Sequence, residues 1–113
     1  MSTTTTTYFA AHAGDEERLR LAGLEALYDA TTLRRLLAAG LSQGQRCLEI
    51  GAGGGSVARM LAERTGTRVA AIDMDPRFLD ATDARYEIRK LDITSPGAPQ
   101  GERFDVIHCR LLL

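Results

Sequence analysis

Residues Cys47 to Ser56 read Cys-Leu-Glu-Ile-Gly-Ala-Gly-Gly-Gly-Ser. A short apolar run with the pattern of a buried strand ends in glycines, and helical patterning follows from Ser56 to Arg64. Glycine allows backbone angles closed to other residues and lets a ligand come close to the main chain. The helix that follows presents unpaired N–H groups and the positive end of its dipole. Strand, glycine turn and helix in this order open a βαβ unit with a ligand site at the turn.

The rest of the chain extends that unit. Arg46–Ile50 is the first strand, Arg68–Ile72 the second, Tyr86–Leu91 the third and Phe104–Cys109 the fourth. Thr65-Gly66 ends the first intervening helix, and Asp75-Pro76 reads as a cap and first residue of a second, running to about Asp83. Thr94 to Gly101 is a loop rich in Pro, Gly and Ser. Strands alternating with helices predict an α/β fold with a parallel sheet and helices on both faces.

Upstream, the chain divides into a polar tail over 1–14 and a helical segment over 15–40, ahead of the sheet domain at 41–113. Five consecutive threonines mark the tail as disordered. Asp15 caps a helix to about Tyr28, whose apolar face is Leu19, Ala22, Ala26 and Leu27. A second helix runs from about Thr31 to Ala39, buries Leu33, Leu36 and Leu37, and stops at Gly40.

With 113 residues there is room for one domain. A net charge of −1, with arginines interleaved among acids, gives no basis for a nucleic-acid or membrane partner. No secretory leader or membrane-spanning run is visible, and Cys47 and Cys109 fall in apolar strand runs without metal-ligand spacing. They read as reduced, packed thiols of a cytoplasmic protein, with no metal site.

Two ligand classes compete for the glycine turn. A dinucleotide asks for Gly-x-Gly-x-x-Gly, but counting from Gly51 the last position is Ser56. Glu49, two residues before the first glycine, would repel a pyrophosphate and complement a cation. Asp73 closes the second strand, where a carboxylate accepts hydrogen bonds from ribose hydroxyls. Asp92 closes the third, where it can accept from an adenine amino group while the Ile93 N–H donates to a ring nitrogen.

Glu49–Ser56, Val69–Asp75, Leu91–Ile93 and Phe104–Cys109 together resemble the successive motifs of the class I, Rossmann-like S-adenosylmethionine-dependent methyltransferases. The resemblance implies four parallel strands in the order 3-2-1-4 behind two N-terminal helices, a partial form of the family's sheet. It implies S-adenosylmethionine as cofactor, held by Glu49, Gly51, Ala52, Gly53, Gly55, Asp73, Met74, Asp92 and Ile93, with His108, Cys109 and Arg110 near the methionine end. The expected activity is methyl transfer to a small molecule, this chain being the N-terminal, cofactor-binding part of a longer enzyme. The alternatives are an NAD(P)-binding oxidoreductase half-domain and a non-catalytic binding module. No catalytic base is identifiable: His12 lies in the tail and His108 has no partner visible in sequence. Tyr8 and Phe9, in the N-terminal segment, are the candidates for closing over the cofactor.

Overall fold

The computed structural model describes the backbone of residues 3–94 and 101–110, and the side chains of 14–94 and 101–110. Expectations for the side chains of Tyr8, Phe9 and His12, and for Leu111 to Leu113, fall outside these residues.

Four parallel strands form the sheet: β1 (Cys47–Ile50), β2 (Val69–Asp73), β3 (Tyr86–Lys90) and β4 (Val106–Cys109). Their order is β3-β2-β1-β4, as expected. β1 is central, with Leu48 in register with Ala70 of β2 and Ile107 of β4. Asp105 fixes the approach of β4 by accepting the Arg46 N–H at 2.8 Å.

Alternation along each strand sorts side chains onto two faces. On one, Cys47, Val69, Ala71 and Tyr86 pack against Val57, Ala58, Leu61 and Ala62 of helix α2 (Ser56–Thr65). Leu61 and Val69 are fully buried, each contributing about 1.5–3 kcal/mol relative to exposure. On the other, Leu48, Ala70 and Ile72 pack with Ile50, Leu91 and Phe104, and no residue of either described helix joins them. Helices on both faces are therefore not observed among the described residues. Cys109 and Ile107 lie on this second side of β4 and are exposed. Of the two thiols expected to be packed, only Cys47 is; both are free.

The N-terminal segment departs most from expectation. One helix, α1, runs from Thr3 to Ala38, so most of the expected tail is helical and the two predicted helices are one. Nothing between Tyr28 and Thr31 forces a break, since that junction holds neither glycine nor proline. Its polar residues are used instead: Asp29 and Thr32 accept hydrogen bonds from Arg110, at 2.7 and 2.8 Å. This contact also sets the helix's rotation. Leu19 and Leu27, the expected inner face, are 74% and 72% exposed, while Leu21, Leu24 and Leu36 turn inward. The stop at Gly40 is as predicted. Its φ of 104°, with Leu41 N–H to Leu36 O and Gly40 N–H to Leu37 O, makes a Schellman closure.

The helix predicted after Asp75 is a single 3-10 turn, Pro76–Phe78. Asp80 takes the Thr82 N–H and Asp83 the Arg85 N–H, both at 2.9 Å, while the Asp80 N–H donates to the Tyr86 hydroxyl. These side-chain bonds hold the backbone in turns and compete with a helix. Asp75 makes no side-chain cap and pairs with Arg77 instead, at 2.9 Å. No described helix is long and apolar enough to cross a membrane.

Candidate cofactor site

The C-terminal ends of β1, β2 and β3 open into a cavity of about 800 Å³, roofed by α1. This is the edge at which open α/β sheets bind ligands. The glycine turn forms its floor. Gly53 has a φ of 55°, and a Cβ there would come within 3.1 Å of Leu21 on α1. Gly55, with a φ of 88°, faces the other way: a Cβ would meet Leu79, Arg59 and the Tyr86 hydroxyl. Gly55 thus permits packing beneath the turn and does not line the cavity, unlike Gly51, Ala52, Gly53 and Gly54.

Asp73 lies where the sequence predicts, at the end of β2 and in the cavity wall. Its two oxygens accept the N–H groups of Gly53 and Asp75, each at 2.9 Å. The carboxylate thereby ties the glycine turn to the next strand, and each oxygen keeps a further lone pair. Asp92 also lines the cavity. Its Oδ1 accepts both the N–H and the hydroxyl of Thr94, at 2.9 and 2.6 Å, which hold the carboxyl below its ordinary range. Met74 and Ile93 add apolar wall, and Arg110 closes the β4 end.

Glu49 is 3% exposed. It shares a hydrogen bond of 2.6 Å with Nδ1 of His108, its register partner on β4. Burial pushes the Glu49 carboxyl up from its ordinary value, with the His108 hydrogen bond opposing it. His108 therefore does have a partner, one that becomes visible only when β1 and β4 are paired. It lines a second crevice, between α1 and β4, rather than the main cavity.

Sequence reasoning missed the α1 contribution: Glu17, Arg20, Leu21, Leu24 and Glu25 all line the cavity. Their spacing of three and four was the available signal, obscured because charged residues interrupt the apolar stripe. Phe78 lines the opposite wall under two guanidinium groups, those of Arg18 from α1 at 5.2 Å and of Arg77 at 4.9 Å. Among the described residues no cluster of acids, histidines or cysteines has the arrangement of a metal site.

Charge distinguishes the ligand classes. Glu17, Glu25, Glu49, Asp73, Asp75 and Asp92 line the cavity against three guanidinium groups. Each of those three is committed: Arg20 to Glu17, Arg77 to Asp75 and Arg110 to Asp29. The cavity is built for a cationic or polar ligand, and a diphosphate would meet no uncommitted guanidinium there.

Residues 47–113 match the profile of a methyltransferase domain family. No curated protein and no solved structure matches the chain. The matched span is more than half of the chain and holds all four strands, the glycine turn and the strand-end acids Glu49, Asp73 and Asp92. On its sheet order, its glycine turn and this match, the chain belongs to the class I S-adenosylmethionine-dependent methyltransferases.

Proposed function

We propose that the cavity binds S-adenosylmethionine and that the chain serves methyl transfer to a small-molecule acceptor. The excess of carboxylates over committed guanidinium groups carries this reading, because the methyl donor brings a sulfonium and an ammonium where a dinucleotide brings a pyrophosphate. The free lone pairs of Asp73 suit ribose hydroxyls. Asp92 and the Ile93 backbone suit the adenine edge, with Leu91, Met74 and Ile93 against the base. The turn from Gly51 to Gly54 brings the main chain against the nucleoside, and Glu49, His108 and Arg110 stand behind the methionine end.

When bound, the donor supplies an electrophilic methyl group. The chain's part is to position and to exclude water: α1 covers the strand ends, Asp73 fixes the nucleoside, and the committed arginines leave the acidic field uncancelled. A base is required only for an acceptor that must lose a proton. The two free thiols fit a reducing cytoplasm.

Titration calorimetry with S-adenosylhomocysteine and with NAD separates the leading readings. We expect binding of the first and none of the second; binding of NAD alone would reverse the assignment. In the same experiment Asp73→Ala should weaken S-adenosylhomocysteine by about 1–3 kcal/mol, the range for losing a charged hydrogen-bond partner. An unchanged affinity would place the ribose elsewhere.

A further inference from the structure

The donor reading leaves open which acid meets the ammonium group of the methionine end. Three carboxylates lie near that end of the site. Glu49 is buried and shares a hydrogen bond of 2.6 Å with His108, so it already has a partner within the sheet. Asp29 is bonded to Arg110 at 2.7 Å. Glu25 is different. It projects from α1 into the cavity wall, half-buried, with no hydrogen-bond or ion-pair partner among the described residues.

Its position is unusual for an unanswered anion. A Cβ placed on Gly54 would lie 2.5 Å from Glu25 Oε1 and 4.0 Å from Oε2, so the carboxylate rests directly against the glycine backbone. Only a residue without a side chain leaves that room. The flanking turns of α1 are both anchored. Leu21, one turn earlier, contacts Gly53, and Asp29, one turn later, holds Arg110. Residues four apart share a helix face, so these anchors aim Glu25 at the turn. The cavity supplies it no uncommitted cation, since Arg20, Arg77 and Arg110 are each paired with another acid, and a half-buried carboxylate left so gains most from a ligand that brings one.

We infer that Glu25 is the ion-pair partner of the cofactor's α-ammonium group, and that Glu49 acts one layer behind it by orienting His108. This assignment rests on the donor reading. It gives α1 a binding role that the matched domain, which begins at residue 47, does not contain. The same carboxylate bars phosphate from the glycine turn by like-charge repulsion.

Two probes on the full chain test it. S-adenosylhomocysteine carries the ammonium; 5′-methylthioadenosine has the same nucleoside and thioether without the amino-acid end. By calorimetry, Glu25→Gln should weaken S-adenosylhomocysteine about 10- to 100-fold, the usual consequence of losing a charge-assisted contact. Methylthioadenosine should hold its affinity within about a factor of two, because that probe has no ammonium to lose. Its retained binding also shows that the variant is folded. Glu25→Asp, shorter by one methylene, should recover part of the loss. Equal weakening of both probes, or of neither, would overturn the assignment while leaving the donor reading standing. Failure of the unaltered chain to bind either probe would overturn both.

Discussion

Glu49 is an acid placed where its charge is costly. It sits at the centre of the sheet, under α1, and one histidine answers it. Burial raises its carboxyl above the ordinary 4.5, so the folded state holds a proton that the unfolded chain releases. The sign follows by linkage: this group's contribution to stability is fully present below pH 4.5 and is lost as pH rises through the raised folded value. Glu49→Gln cannot ionise. Its stability relative to the native chain should therefore increase as pH is raised from 4.5, as measured by urea unfolding across that range. A difference independent of pH would mean that burial does not hold the proton. Asp73 shows the opposite use of a carboxylate. It accepts two backbone N–H groups at the strand end and joins the glycine turn to β2 before any ligand arrives.

At the scale of elements, the sheet was legible because its strands are short apolar runs set off by glycines, Asp73 and Asp92, and each boundary came within two residues. α1 was not legible. Its inward face mixes Glu17, Leu21, Glu25 and Thr32, a pattern chosen by a cavity and by Arg110 rather than by a hydrophobic core. The pairing of Glu49 with His108 was equally hidden, since it spans 59 residues and exists only through the β1–β4 register. Arg110 is what holds α1 to the sheet edge, through Asp29 and the buried Thr32. Arg110→Met removes both bonds and leaves a half-buried carboxylate unanswered. We expect a loss of about 2 kcal/mol in urea unfolding, within the range for hydrogen bonds to charged groups. Arg110→Lys should recover only part, because one ammonium group lacks the planar fork that reaches two acceptors.

For the whole molecule, the cavity joins an N-terminal helix to a sheet that begins only at residue 47. A ligand seated there touches both, so binding free energy is shared between them. Saturating S-adenosylhomocysteine should slow amide exchange not only in the glycine turn but also along α1 between Glu17 and Thr32. Protection confined to residues 51–56 would mean that the helix is not part of the site. The helix also sets the molecule's long dimension: 36 residues correspond to about 54 Å, against a longest extent of 53 Å.

The position of β1 has a consequence in time. It is the centre of the sheet, yet both of its neighbours come later in the chain, and β4 comes last of the described strands. On a ribosome, Glu49 emerges well before the histidine that will answer it and stays hydrated until His108 arrives. Closing that long loop is the entropically demanding step of assembling a parallel sheet. The floor of the cavity can form early from β1, the glycine turn and β2, but its β4 wall cannot. Acquiring a tight grip on ligand would then be a late event in biogenesis, and its onset a timer for the docking of the fourth strand.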